Sequence, residues 1–199
     1  MATICVYCSS SERIPPRYID LATEVGTELA QRGHTLVSGG GSLSCMGAVA
    51  RAARAGGAHT VGVIPEGLLQ WEVGDVDADE LIVTADMRVR KGEMDRRADA
   101  FLTLPGGLGT LEELLEIWTG RILRMHAKPV VILDPDGVFT PLREQVDALV
   151  RDGFARRSVY DAITWTTDLR EAFDVIEEQL ARGHQVLPPA ADEVLEAES

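Results

Sequence analysis

Short apolar runs alternate along nearly the whole chain with longer segments of helical periodicity, and this alternation constrains the fold most strongly. The runs predicted as strands are 3–8, 35–37, 60–64, 81–84, 100–104, 129–133 and 163–165. The segments predicted as helices are 15–33, 46–55, 87–97, 110–125, 139–152 and 168–182. Strands that alternate with helices predict an α/β fold, a Rossmann-like doubly wound parallel sheet flanked by helices.

Length and charge limit what such a chain can do. The 199 residues suit one domain, and we predict a single Rossmann-like nucleotide-binding catalytic domain over 1–187, followed by an acidic mobile tail over 188–199. The net charge of -13 argues against a nucleic-acid partner bound through a basic surface. The N-terminus enters a strand directly, without the pattern of a signal peptide, and no run approaches membrane-spanning length, so we expect a cytoplasmic protein without a membrane partner.

The three cysteines fit a structural role better than a redox or zinc site. Cys5 and Cys8 form a C-x-x-C within or at the end of the first predicted strand. Their odd separation directs the two thiols to opposite faces of the sheet. Cys45 is the only further thiol, whereas a structural zinc site needs four ligands.

A first glycine loop follows the second predicted strand, in the sequence Ser38-Gly39-Gly40-Gly41-Ser42. Three glycines at this place indicate either a sharp turn or a close approach of the backbone to a ligand. The G-x-G-x-x-G dinucleotide pattern fails, because its last glycine is Ser44, and no acidic residue closes the next strand. We therefore exclude a standard NAD site and keep Gly40, Gly41 and Ser42 as candidate ligand contacts.

A second glycine loop, over 102–113, joins an apolar strand to the start of a strong helix. Such a junction presents free backbone N–H groups to a phosphate, here those of Gly107, Gly109 and Thr110 together with the Thr110 hydroxyl. No G-K-[ST] follows the glycines, which excludes a P-loop. The carboxylates of Glu112 and Glu113 on the first turn are either partners of the helix dipole or acids that take part in chemistry.

The segment 87–97 reads as a highly charged helix whose charges are mostly solvated i,i+4 pairs. Arg90 and Lys91 differ from the rest, because they follow the end of a strand, where open parallel sheets bind ligands. A carboxylate close to a phosphate needs a compensating positive charge. The oxocarbenium-like transition state of glycosidic cleavage develops one, and Arg90 could supply a fixed one.

Two motifs together carry a resemblance to a known family. The run Pro105–Glu113 matches P-G-G-x-G-T-x-x-E, and Ala85–Lys91 contains A-D-M followed by an R-K pair. The first glycine loop with Met46-Gly47, and the V-G-V-I-P run at 61–65, also fit in the same order. In these features the chain resembles the LOG ("Lonely Guy") family of cytokinin riboside 5′-monophosphate phosphoribohydrolases, over most of its length up to about Gly153.

The resemblance implies hydrolysis of the N-glycosidic bond of an adenine-type nucleoside 5′-monophosphate, which yields free base and ribose 5-phosphate. It implies that Arg90 and Glu113 are the catalytic pair. The substrate-binding residues expected in addition to Gly40, Gly41 and Ser42 are Glu72, Met87, Lys91, Gly106, Gly107, Leu108, Gly109, Thr110, Leu111, Glu112 and Thr119. The resemblance implies no cofactor and no metal. It also implies a homodimer, since family members are homodimers or larger assemblies and the homodimer is usual for sequences like this one.

The chain departs from the family pattern at Ser38, at Arg88 and in the stretch 43–45, which lie on the expected pocket wall and bear on the identity of the base. The label lysine decarboxylase, which some relatives carry, has no support here. Lys91 and Lys128 are the only lysines, and neither lies in a pyridoxal-phosphate context. The alternative function is a non-catalytic carrier of a nucleotide or of the molybdenum cofactor. A carrier needs the phosphate loop but not the pair of Arg90 and Glu113.

Overall fold

The computed structural model of the chain describes residues 1–69 and 74–183. These residues form a seven-stranded, all-parallel sheet in the order β4-β3-β2-β1-β5-β6-β7. The strands are β1 (Thr3–Tyr7), β2 (Thr35–Ser38), β3 (Thr60–Pro65), β4 (Glu80–Thr84), β5 (Ala100–Thr103), β6 (Val130–Leu133) and β7 (Thr164–Thr166). The predicted fold class, a doubly wound parallel sheet, is confirmed.

Helices cover both faces of the sheet. They are α1 (Pro16–Gln31), α2 (Ser44–Ala55), α3 (Met87–Arg97), α4 (Leu108–Ile122), α5 (Thr140–Arg151) and α6 (Leu169–Ala181), with 3₁₀ turns at Glu66–Leu68 and Arg157–Val159. Asp168 accepts a hydrogen bond from the Glu171 N–H as the N-cap of α6, as predicted. Every predicted strand and helix is present, with ends that differ from the prediction by at most three residues.

Both ends of α4, which was predicted to run over 110–125, are shifted, and the shift of three residues at its C-terminal end is the largest. The helix begins at Leu108, because Gly107 takes an extended conformation as its N-cap and accepts the Leu111 N–H at 3.0 Å. It ends at Ile122, because Arg124 adopts a left-handed conformation with φ 58°. The first turn of α4 therefore lies inside the Pro-Gly-Gly loop, which places its N–H groups at the loop surface.

The period-two alternation of the strands divides the core into two layers. Ile4, Val6 and Cys8 pack under α1, α2 and α6, whereas Cys5 and Tyr7 pack with α3, α4 and α5. The two thiols of the C-x-x-C therefore point to opposite faces, as predicted, and all three cysteines are free and buried. Trp118 lies in the second layer, with its indole N–H donating to the Val159 carbonyl at 3.0 Å, so it belongs to the core.

Strand order fixes where a ligand can bind. The chain winds outward from β1 to β4, crosses back to β5 on the other side of β1, and continues to β7. Ligands of open α/β sheets bind at the carboxyl ends of the strands beside such a reversal, here between β1 and β5. The Pro-Gly-Gly loop leaves β5 at this point.

Two predictions concern regions outside the described residues. The acidic tail over 188–199 is one, and the extent of a single domain to residue 187 depends on the same segment and stays a prediction.

None of the helices in the described part of the chain combines the length and the apolar character needed to cross a bilayer. Within 1–69 and 74–183, no group of three or more His, Cys, Asp and Glu side chains is placed to hold a metal ion.

Candidate active site

Helix α3 starts at a strand end and turns one cation inward. Its N-cap is Asp86, whose carboxylate accepts the N–H groups of Arg88 at 2.8 Å and Val89 at 2.9 Å. Arg90 follows one turn into the helix and is buried, whereas the three residues before it, 87–89, are exposed. Further along, Glu93 pairs with Arg96 at i,i+3 and with Arg97 at i,i+4, the kind of pair predicted for this helix, whereas Asp95 pairs with Lys128.

The Arg90 guanidinium joins three different elements. Its Nη1 donates to Oε1 of Glu113 on α4 at 2.9 Å. Its Nε donates to the carbonyl of Val63 on β3 at 3.0 Å, and its Nη2 donates to the carbonyl of Gly39, just past β2, at 3.3 Å. A planar guanidinium with fixed N–H directions suits such a three-way contact. The cation is thereby held at the carboxyl end of the sheet.

Glu113 is the buried partner in this pair. The side chains of Arg90 and Glu113 are only 7% and 9% exposed. Burial raises the pKa of Glu113 from its ordinary value of 4.5 to about 7, against the opposing effect of Arg90, while the nearby Glu112 raises it further. A carboxyl group with a pKa near 7 exchanges protons readily at neutral pH, which suits general acid–base chemistry. The structure thus brings together the two residues predicted to be catalytic.

The second glycine loop leaves the N-terminus of α4 open. No side chain of the described residues caps this end of the helix, and nothing lies within 4 Å of where a side chain at Gly107 or Gly109 would begin. Gly106 differs, since a Cβ there would lie 2.1 Å from the hydroxyl oxygen of Thr110. The buried Thr110 side chain therefore packs over Gly106. Uncapped N–H groups with a positive dipole end are a suitable site for a phosphate.

Lys91 follows Arg90 on α3 and contacts two carboxylates of α4. Its ammonium pairs with Glu112, and with Glu116 at 2.9 Å. These partners raise the pKa of Lys91, so it remains a cation at neutral pH. Glu113 turns into the core, whereas Glu116, three residues further along the helix, is exposed.

The remaining predicted residues on these two helices occupy the surface or its edge. Met87, Leu108 and Thr119 are exposed, and Leu111 packs partly against the core. Their contact with substrate stays a prediction. Glu72 lies outside the described residues.

The first glycine loop is shaped by backbone packing. Gly40 has φ +73°, and a Cβ there would lie 3.1 Å from the Val63 nitrogen. Gly41 pairs with Gly74 in an isolated bridge, and the Asp75 N–H donates to the Gly40 carbonyl at 2.8 Å. Arg54 holds the buried Asp75 carboxylate with two hydrogen bonds, at 2.7 and 3.1 Å. Substrate contact by Gly40, Gly41 and Ser42 stays a prediction, since the packing alone accounts for the glycine at position 40.

Two residues of this region, Gly39 and Ser44, have structural roles that the sequence pattern does not reveal. Gly39 was placed in the loop without a function, yet its carbonyl holds Arg90. Ser44 was identified as the missing glycine of a dinucleotide pattern and as part of the departure over 43–45, without a structural role. It adopts a left-handed conformation with φ 52°, and its hydroxyl donates to the Ser11 carbonyl in the loop after β1 at 2.6 Å. A glycine-type position filled by serine was the available signal in the sequence.

Comparison with known proteins follows the same residues. Residues 46–176 match the family model described as "Possible lysine decarboxylase". The protein named cytokinin riboside 5′-monophosphate phosphoribohydrolase from Mycobacterium marinum is 48% identical over 170 residues, which cover 85% of this chain and 90% of that protein. The rice protein of the same name, LOG, is 47% identical over 165 residues, covering 81% and 68% of the two chains.

Solved structures share the fold at lower identity. The molybdenum cofactor binding protein of Rippkaea orientalis has a TM-score of 0.69 at 20% identity, covering 90% of this chain and 97% of that chain. The structure titled TM1055 has a TM-score of 0.69 at 24% identity, covering 89% and 99%. These likenesses concern the fold alone. From the family match and the high identity to named relatives over most of their length, the chain belongs to the LOG family of cytokinin riboside 5′-monophosphate phosphoribohydrolases.

Proposed function

We propose that this protein hydrolyses the N-glycosidic bond of an adenine-type nucleoside 5′-monophosphate and releases the free base and ribose 5-phosphate. The observation that carries the proposal is the buried ion pair of Arg90 and Glu113 close to the open N-terminus of α4. The names of the relatives from Mycobacterium marinum and rice support the same reaction.

The phosphate would bind at the second glycine loop. The backbone N–H groups at 108–110 start α4 without a side-chain cap among the described residues, so they can donate to phosphate oxygens. Lys91 adds a positive charge nearby, held by Glu112 and Glu116. Phosphate binding there places the ribose within reach of Glu113, one turn further along the same helix.

Glu113 and Arg90 would then act on the sugar and the base. As C1′ loses its bond to the base nitrogen, positive charge develops on the ribose ring, and the Glu113 carboxylate stabilises it. A water molecule adds to C1′ and gives its proton to Glu113, whose pKa of about 7 makes it a better proton acceptor than an ordinary glutamate. The departing base takes up a proton from solvent and leaves as the neutral free base, and Glu113 then returns its own proton to solvent, so that one water molecule is consumed in each turnover. Arg90 fixes the carboxylate and orients the substrate.

The test is an assay of base release by chromatography. Purified protein is incubated with AMP, with isopentenyladenosine 5′-monophosphate and with the matching ribosides that lack the phosphate. We expect base release from at least one of the monophosphates and far slower release from its riboside, because the riboside leaves the α4 N-terminus unfilled. Binding of both nucleotides without release of base would refute the hydrolase.

That negative result would instead favour the carrier. Structural neighbours include a molybdenum cofactor binding protein, but at 20% identity the likeness extends to the fold only. A carrier has no need of a carboxyl group that is buried and paired with an arginine. Glu113 and Arg90 therefore favour the hydrolase.

We further propose that two copies associate into a homodimer through an apolar stripe on α4. Leu108, Leu115 and Ile122 are 85%, 44% and 38% exposed, and their seven-residue spacing puts them on one face of the helix. Exposed apolar residues in such a row favour burial against a second surface. Light scattering should give the mass of a dimer for the wild type and that of a monomer for the double variant Leu115→Glu/Ile122→Glu. Leu149→Glu on α5 is the matched control, and a wild-type monomer would refute the proposal.

We also propose that the protein is located in the cytoplasm. All three cysteines are free and buried, as expected for a protein of a reducing compartment. Fractionation of the source cells would test it, and recovery of the protein outside the cytoplasmic fraction would contradict it.

A further inference from the structure

Arg90 lies against the backbone of Gly39 with no room to spare. A Cβ added at Gly39 would lie 1.9 Å from Nη2 and 3.1 Å from Cζ of Arg90, and 2.9 Å from the sulfur of Met46. All three atoms belong to side chains, so an alanine there would displace side chains and leave the surrounding backbone in place. Van der Waals contact begins near 3.5 Å, so the guanidinium could not keep its position.

The requirement for glycine at this position comes from space and not from the backbone conformation. Gly39 does not have a positive φ, whereas its neighbour Gly40 has φ +73°. Any residue could therefore adopt the backbone of Gly39. What its missing side chain provides is the volume that the Arg90 guanidinium occupies.

The Gly39 carbonyl also fixes the direction in which Arg90 points. Together with the Val63 carbonyl and Glu113, it accepts three of the five N–H groups of the guanidinium. Two backbone carbonyls, one within β3 and one just past the end of the adjacent β2, thus hold the cation, and the third contact orients the Glu113 carboxyl group. The next residue of the first glycine loop is also held in place, since the Gly40 carbonyl accepts the Asp75 N–H.

We propose that Gly39 is a positioning residue for the Arg90–Glu113 pair: its missing side chain and its carbonyl hold the guanidinium where it can bond the Glu113 carboxyl group. The inference rests on the proposed hydrolase only for its consequence on turnover. Its structural part can be tested without any substrate.

The first experiment follows the titration of Glu113 by carbon NMR of its side-chain carboxyl group, assigned with Glu113→Gln. The charged and titratable groups that act on Glu113 are Arg90 and Lys91 on α3 and Glu112 on its own helix; Cys5 and Tyr7 of β1 lie close enough that Glu113 raises their pKa values. Arg90 lowers the pKa of Glu113, so its displacement in Gly39→Ala should move the midpoint upward from about 7. Gly92→Ala on α3 is the matched control, since nothing lies within 4 Å of its added Cβ, and it should titrate like the wild type.

The second experiment measures base release. Gly39→Ala should lower kcat by about 100-fold, the scale expected when a group in the site moves by about 1 Å, with a smaller change in KM for AMP. In an Arg90→Lys background, which removes Nη2 and Cζ, the same substitution should have little further effect. Equal losses in both backgrounds would overturn the positioning role.

The two proposals fail in different ways. An unchanged Glu113 midpoint in folded Gly39→Ala refutes the positioning role, whatever the activity. A shifted midpoint in a protein whose wild type releases no base from either nucleotide supports the positioning role and refutes the hydrolase.

Discussion

Arg90 and Glu113 meet in a buried 2.9 Å ion pair, although they lie 23 residues apart and belong to different helices. Each of the two helices follows a strand, and the carboxyl ends of those strands lie along one edge of the sheet. The pair is thus a product of the parallel topology. Because the pair is buried, substitution of either residue leaves the other without its charged partner inside the protein.

Glu113→Gln tests the chemical role of the carboxyl group. The amide keeps the shape and can still accept the Arg90 N–H, but it cannot take a proton or carry negative charge. We expect kcat for base release to fall by about 100-fold or more, with KM for AMP changed by less than about threefold, as measured by steady-state kinetics. Glu144→Gln on the exposed face of α5 is the control and should match the wild type. An active Glu113→Gln would remove Glu113 from the mechanism.

The pH dependence of the rate should follow the ionisation of Glu113. The carboxylate is the form that accepts a proton and stabilises positive charge, so kcat/KM should rise with pH through about 7 and then level off. Glu112 raises the pKa of Glu113, so Glu112→Gln should move the midpoint to lower pH. A midpoint that stays in place in Glu112→Gln would show that another group controls the profile.

Stability should depend on pH through the same group. The pKa of Glu113 is raised on folding from 4.5 to about 7, so the folded state holds its proton over a range in which the unfolded state has lost it. The stabilisation from this proton is complete below pH 4.5 and is lost as pH rises through about 7, with a total of about 3 kcal/mol. Urea unfolding should therefore show Glu113→Gln gaining stability relative to the wild type between pH 4.5 and 8. A constant difference across this range would contradict the raised pKa.

Removing one partner of the buried pair should cost more than removing both charges. Arg90→Ala leaves the Glu113 carboxyl buried without its cation, and we expect a loss of about 3–5 kcal/mol at pH 8. The double variant Arg90→Ala/Glu113→Gln should be more stable than Arg90→Ala, because an amide at position 113 needs neither a neighbouring cation nor an added proton to be buried. The free energies of unfolding of the four proteins form a double-mutant cycle, and an additive result would mean that the two charges do not interact.

Ser44 should show a cost of its backbone conformation. A left-handed conformation costs a residue other than glycine about 1 kcal/mol, and the Ser44 hydroxyl bond to the Ser11 carbonyl offsets it. Ser44→Gly should therefore be more stable in urea than Ser44→Ala by about 1 kcal/mol. At Ser158, in the 3₁₀ turn Arg157–Val159, the order should be reversed. The same order at both positions would argue against strain at Ser44.

Sequence patterns captured the fold because the local signals agree with one another. Helix α3 was predicted at Met87–Arg97 and has those ends in the structure, since Asp86 caps it and Ala98 returns to extended backbone. The start of α4 was missed because a glycine in extended conformation acted as the cap. Propensity alone does not reveal such a cap, since glycine fits both a turn and a helix terminus.

The site was predictable in part. The family resemblance identified Arg90 and Glu113 as a pair. Both residues follow strands of a parallel sheet, and the carboxyl ends of such strands lie along one edge. The sequence does not show which of the two neighbouring carboxylates is buried. Glu113 is buried with a raised pKa, whereas Glu112 is exposed and pairs with Lys91, and this difference depends on the rotation of α4 about its axis. The space at Gly39 depends on where a side chain from another helix ends. Such contacts over long sequence separations are absent from any local pattern.

The placement of the thiols gives this chain a natural probe of its own opening. Cys5 and Cys8 point to opposite layers from the central strand β1, and Cys45 lies at the first turn of α2. All three are buried, and burial raises their pKa values, so an alkylating reagent meets a reactive thiolate only after local or global unfolding. The rate of labelling at Cys45 relative to Cys5 therefore measures how often the first glycine loop opens while the sheet stays intact.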